Sequence, residues 1–364
     1  WLKPLSQGSK WITTPTPRMW PSNVTRTQTF LDHYPFTKYG GRYSHQRKPC
    51  LAQEVPAFLA RFDWYLPNPK TKRLGASERR RLKDPRTVFA LPSELPKLLR
   101  TAAEDFDPGH ADRVVLFGGE DMHMTRAFGG NRTRMNKMVA RLRKYFKSIF
   151  FVAKDANNHL VKAFPIGLTE HYMRPSLPDV ALDAVLSAGL SEEAKPRMVL
   201  AAWGAFHDME AAGGYRKKMP VSMRIAFESR WRARRWAESN AGRQAGVRVF
   251  SSEDAIAPSR WFAELAKSRF LMSPLGDGIQ SAKTIEAFLV LTIPIVERGP
   301  YPVHDKLVQM GFPMIVLGSW SEITHQRLWE WWGLLAPRLA RFRHNCVTTD
   351  AYWRLVTGSM DYCE

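Results

Sequence analysis

The stretch RFLMSPLGDGIQSAKTIEAFLVLTIPIVE, residues 269–297, carries the fold in miniature. Residues 269–273 and 293–297 are short apolar runs bounded by turn residues, which reads as two buried strands, and helical spacing starts between them at about Ser281. Strand, glycine-bearing turn, helix and strand in that order predict a βαβ unit. Gly276 and Gly278 lie in the turn, where a backbone without Cβ can come close to an anion and the helix start favours negative charge. Lys283 falls in the first helical turn, where a cation opposes the helix dipole unless an anion binds beside it. Glu286, one turn deeper on the same face, offers a carboxylate to ribose or sugar hydroxyls. A tight turn with a Lys–Glu surface pair fits the same residues. The P-loop does not fit, because Ala282 stands where a glycine must precede the lysine, and Ser281 occupies the third glycine position of the dinucleotide fingerprint.

The alternation continues on both sides. Upstream, 93–106 has helical spacing, RVVLFGG (113–119) reads as a strand, 131–146 as an amphipathic helix, and SIFFVAKD (148–155) as a second strand. A further apolar piece at 160–168 and a helix at 179–190 lead to a Pro and charge break, 191–197. A second series follows: strand 198–204, an arginine-rich helix 222–240, VRVFSS (247–252), a helix at 258–268, the quoted unit, and FPMIVLG (312–318). Strands alternating with helices predict parallel sheets covered on both faces, and two such units in tandem predict a cleft beyond the carboxyl ends of the strands. The expected division is an extension over 1–92, a first α/β domain over 93–195, a second over 196–335 and a helical tail over 336–364. The extension is rich in Pro, Arg and aromatics and includes a basic loop, 71–86. Trp329, Trp331, Trp332, Tyr352 and Trp353 have helical spacing in an amphipathic tail and read as core.

With 364 residues, 44% of them apolar, the chain has ample core for two domains, and no run of 18 apolar residues predicts a membrane span. The opening WLKPLSQGSKW, without initiator methionine or signal peptide, predicts a processed product. A net charge of +20 predicts attraction to polyanions, membrane surfaces or phosphorylated small molecules. Cys50, Cys346 and Cys363 have no metal-type spacing, EDMH (120–123) is not a metal motif, and one disulfide near the C-terminus remains open. Asn23 and Asn131 head Asn-x-Thr tripeptides, and Asn131 reads equally well as a helix cap.

From Ser273-Pro274 through Gly276, Lys283, Glu286 and Ala287 to Ile293-Pro294-Ile295-Val296, the quoted unit resembles the nucleotide-sugar segment of exostosin-like glycosyltransferases. WSEIT (320–324) resembles a short segment downstream in related algal and protist proteins. The resemblance spans 196–330 and extends faintly over 93–175. It implies two Rossmann-like domains in the GT-B arrangement and metal-independent transfer from a nucleotide sugar to a glycan or glycoprotein acceptor, with no other cofactor. It also implies a Golgi or secretory lumen. The commoner forms carry arginine where Lys283 stands, and lysine neutralises a diphosphate without a bidentate fork.

In such a fold Gly204 and His207 follow the first strand of the second domain, with Arg216, Lys217 and Arg224 close by to hold a leaving diphosphate. An inverting transfer needs a base on the acceptor side, and GGEDMHMTR (118–126) supplies Glu120, Asp121 and His123, of which Asp121 and His123 are the catalytic candidates. The rival expectation is an inactive relative serving as a structural subunit of a large mitochondrial or plastid assembly such as a ribosome, gripping RNA through its basic surface.

Overall fold

The computed structural model describes residues 30, 32–38, 56–66, 84–107, 109–110, 112–169, 177–203, 221–250, 256–276 and 278–363. Among the described residues twelve strands fall in this order: β1 Phe36–Lys38, β2 Trp64–Leu66, β3 Thr87–Ala90, β4 Val114–Phe117, β5 Ser148–Phe151, β6 Val161–Ala163, β7 Leu168–Thr169, β8 Arg197–Ala201, β9 Val247–Val249, β10 Ser268–Ser273, β11 Ile293–Glu297 and β12 Ile315–Leu317. The helices are α1 Ala57–Ala60, α2 Leu95–Asp105, α3 Met124–Ala127, α4 Arg132–Leu142, α5 Leu177–Ser187 and α6 Val221–Ala237. They continue with α7 Asn240–Gln244, α8 Trp261–Ala266, α9 Ala282–Leu289, α10 Val303–Gln309, α11 His325–Cys346 and α12 Thr349–Thr357.

The strands form two five-stranded sheets and a two-stranded β1–β7 pair, and every ladder is parallel. The chain is therefore an α/β protein. The first sheet runs β2-β3-β4-β5-β6, in chain order throughout. The second runs β12-β11-β10-β8-β9, so the winding reverses between β8 and β10. That reversal is the place where an open parallel sheet leaves a crevice beyond its carboxyl ends.

Period-two alternation explains how the first sheet is covered on both faces. Val88, Val115, Phe117, Ile149 and Phe151 pack with Leu98 of α2 and Met135 and Val139 of α4. The opposite set, Phe89, Leu116 and Phe150, packs with Phe58 of α1 and Tyr352 and Leu355 of α12. The second sheet shares its cluster with Leu335, Leu339 and Phe342 of α11. The tail thus serves both sheets: α11 lies on the second, and Tyr352 of α12 donates its hydroxyl to the Ile166 carbonyl, 2.9 Å away.

Two expectations need correction. The first sheet begins inside the stretch read as an extension, because β2 and β3 are short buried runs, WYL and TVFA, set among prolines and arginines that mask their pattern. Trp329 is not core: it is 40% exposed and lies under the Arg269 guanidinium, 4.2 Å from ring centroid to Cζ. Trp331 and Trp332 are partly buried against the second sheet's cluster.

Other local readings have direct counterparts. Asn131 caps α4, its side chain accepting from the Arg134 amide at 2.9 Å. Lys195, from the charged break, is fully buried and donates to the carbonyls of Ala266, Ser268 and Val290 and to Thr292 Oγ1 at 2.8–3.1 Å. It thereby satisfies carbonyls left over at the ends of α8 and α9. Cys346 and Cys363 are free and buried in one cluster. Among the described residues no helix is long and apolar enough to cross a membrane. Most of the extension, including residues 71–83 of the basic loop, lies outside the described residues.

Candidate functional site

The carboxyl ends of β8 and β10 meet the start of α9. Lys283 sits in the first turn of α9, half-buried, and donates from Nζ to the carbonyl of Ala202 at 3.1 Å, just past the end of β8. The same ammonium lies 3.9 Å from the centroid of the Trp261 ring. Trp261 Nε1 donates to Glu286 Oε2 at 2.7 Å, so the indole bridges lysine and carboxylate. Burial pulls Lys283 down to about 8, with the Glu286 carboxylate working against it and Arg230 adding to it. Burial pushes Glu286 above the ordinary carboxylate range, opposed by Lys283 and by the Trp261 hydrogen bond. A half-buried cation and a buried carboxylate thus flank the Trp261 indole at the point where the winding reverses.

The glycine turn is tightly packed. The Gly276 amide donates to the Ile279 carbonyl at 3.1 Å and the Ile279 amide returns to the Gly276 carbonyl at 2.9 Å, so these two amides are paired within the turn. Gly276 is close-packed as well, since a Cβ there would lie 2.8 Å from the Gln280 carbonyl oxygen. At Gly278 a Cβ would lie 2.8 Å from Asp121 Oδ1 and 3.2 Å from Asp121 Cα. Only glycine lets the loop come this near to Asp121. Ile279, at φ 72°, holds a left-handed conformation, and its side chain is buried. Leu275, Ile279, Tyr301 and Val303 join the apolar cluster of the first sheet.

Gln280 completes the seal. Its Nε2 donates to the carbonyls of Val152 at 2.6 Å and Phe164 at 2.8 Å, and its Oε1 accepts from the Ile166 amide at 2.9 Å. The loop after β10 is therefore a plug between the carboxyl ends of the two sheets. Gly276 and Gly278, the expected phosphate ligands, are both close-packed here, and the Gly276 amide is committed inside the turn.

On the first-sheet side, Glu120 is occupied by Ser93, accepting from its amide at 3.1 Å and its hydroxyl at 2.8 Å. Asp121 lies under Gly278. His123 is buried at the start of α3, with Nδ1 3.7 Å from Asp155 Oδ2 and its ring edge-on to Tyr301, centroids 5.4 Å apart. Asp155 is fixed by the Thr125 amide and hydroxyl at 2.8 and 2.9 Å. Burial, and then the Asp155 charge, push Tyr301 up to about 12, so it stays a neutral phenol. His123, Asp155 and Tyr301 thus gather ends of β4, β5 and β11 into one polar cluster beside the plug.

Arg224 is exposed near the start of α6, and it is Arg230, two turns on, whose charge bears on Lys283. Gly204, His207, Arg216 and Lys217 lie outside the described residues. Two participants were missed from sequence. Trp261 opens a helix that looked ordinary, and Asp155 ends SIFFVAKD, where an acid just past a strand was the available signal.

One acidic group among the described residues has metal-like spacing: Asp84, Asp107 and His110. Arg113, fully buried, contacts Asp84 through Nη2 and through Nε at 3.0 Å and brings a positive charge to this group. Burial alone would raise Asp84, but the Arg113 and His110 hydrogen bonds outweigh it and hold the carboxyl down to about 2. This is an ion-pair cluster at the amino ends of the strands. The chain matches no protein-family model and no curated protein.

Proposed function

We propose that the chain is a metal-independent, nucleotide-sugar-dependent glycosyltransferase of exostosin-like type, built as two Rossmann-like halves in the GT-B manner. The observation that carries this reading is the Lys283–Trp261–Glu286 arrangement at the β8/β10 reversal. Lys283, with Arg230 in its field, stabilises the diphosphate as the glycosidic C–O bond breaks, and Glu286 receives ribose or sugar hydroxyls. The glycan or glycoprotein acceptor approaches from the first sheet. Its hydroxyl attacks the anomeric carbon while His123 takes the proton, its ring oriented by Asp155. The plug over 275–281 must shift for acceptor and donor to meet.

A second reading has its own support. The Lys283 ammonium already has the Ala202 carbonyl as a partner, and Gln280 ties the two halves together, as suits a fold kept for structure rather than turnover. One assay separates them. The purified chain is incubated with a panel of nucleotide sugars in the presence of a chelator, and release of nucleoside diphosphate is followed. Release with at least one donor, abolished by Lys283→Met, supports transfer; no release with any donor leaves the structural reading standing.

A further inference from the structure

The excess positive charge is not where the arginine count of α6 suggested. Arg232 of α6 is committed to Glu297 at 2.9 and 3.1 Å, Arg234 to Glu238 at 2.7 Å, and Arg235 stacks on Trp231 at 4.8 Å. Helix α4 is different. Between Asn131 and Lys147 the sequence NRTRMNKMVARLRKYFK has seven cations and no carboxylate. Arg134, Lys137 and Arg141 of α4 and Lys144, two residues past its end, recur at a spacing of three and four and are exposed, and none has a carboxylate partner among the described residues. Arg132 and Arg134 stand in the first turn, where they oppose the helix dipole, and no acid offsets them. Like charges three and four residues apart repel along the whole face. A linear anion relieves both penalties together.

A cavity of about 540 Å3 opens where this face ends, lined by Arg86, Gly109, His110, Asp112, Arg143 and Lys147. It lies at the amino ends of β3, β4 and β5, away from the His123 cluster. Arg143 caps the chain there, donating to the Phe146 carbonyl at 3.3 Å, and Arg86 contacts Asp112. Lys147 has no carboxylate partner among the described residues, so the cavity adds an uncommitted cation at the end of the row, beside the Arg86–Asp112 pair. None of the large exposed apolar side chains lies on α4, which leaves nothing to insert into a membrane.

We propose that the outer face of α4, with the cavity at its end, docks single-stranded RNA. The three cations on α4 rise at about 1.5 Å per residue, about 5 Å per cation, and Lys144 continues the row past the helix end, a spacing that a flexible phosphate backbone can follow. The test is fluorescence anisotropy of a labelled mixed-sequence RNA oligonucleotide with the full chain, over about 50 to 200 mM salt. Changing Arg134, Lys137, Arg141 and Lys144 together to glutamine should weaken binding at least tenfold. The salt slope should fall by about 3, at about 0.7 per lost phosphate contact. A charge-retaining variant, Lys137→Arg with Lys144→Arg, should bind like the parent, and Arg234→Gln with Arg235→Gln on α6 should leave binding unchanged. The proposal is overturned if the parent binds no RNA at the lowest salt, if the α4 glutamine variant binds as the parent does, or if a sulfated oligosaccharide of equal charge binds more tightly than the RNA.

Discussion

Replacing Gln280 by alanine removes three hydrogen bonds from a side chain that is 4% exposed. Each such bond contributes about 0.5–1.5 kcal/mol net, and the buried partners left behind, two carbonyls and one amide, carry a desolvation penalty of their own. The expected loss is about 3 kcal/mol. Urea unfolding followed by tryptophan fluorescence measures it, and amide hydrogen exchange localises it, because the Ile166 N–H loses its acceptor and should exchange faster. Gln280→Glu sharpens the test. It keeps an acceptor for Ile166 but sets carboxylate oxygens against the carbonyls of Val152 and Phe164, so at neutral pH it should be at least as damaging as alanine. A loss below about 1 kcal/mol with unchanged Ile166 exchange would refute the assignment of 275–281 as the link between the sheets.

Three further outcomes follow from the same geometry. Gly278→Ala should destabilise by about 1–3 kcal/mol through overpacking on Asp121, measured by thermal unfolding. Asn131→Ala should remove the cap of α4 at about 1 kcal/mol, again read from the unfolding midpoint. Burial lowers Lys195 to about 7, so between that value and the ordinary lysine range the unfolded chain binds the extra proton and stability rises with pH. Unfolding free energies at the two ends of that window should differ by about 4 kcal/mol more in the parent than in Lys195→Met.

Much of the architecture was readable because the second sheet's strands are continuous apolar runs, as a doubly covered parallel sheet requires. The quoted unit is the clearest case, with β10, α9 and β11 falling within a residue or so of the expected bounds. β2 and β3 were not readable, since three or four apolar residues amid prolines and arginines carry no period. The site was legible only in part. Lys283 and Glu286 share a helical face, so their proximity follows from spacing, but Trp261 reaches them from a helix one strand earlier. Asp155 meets His123 only because β4 and β5 are neighbours in register. The glycines fit two readings for a physical reason: a turn built for close approach to a phosphate and one built for close approach to Asp121 demand the same residue.

The donor-site claim is tested most directly by calorimetric titration of the parent and Lys283→Met with uridine and guanosine diphosphates. Saturable binding of one nucleotide to the parent, lost in Lys283→Met while the unfolding midpoint is retained, is the predicted result. Equal binding by both proteins, or none by either at millimolar nucleotide, contradicts a donor site at Lys283.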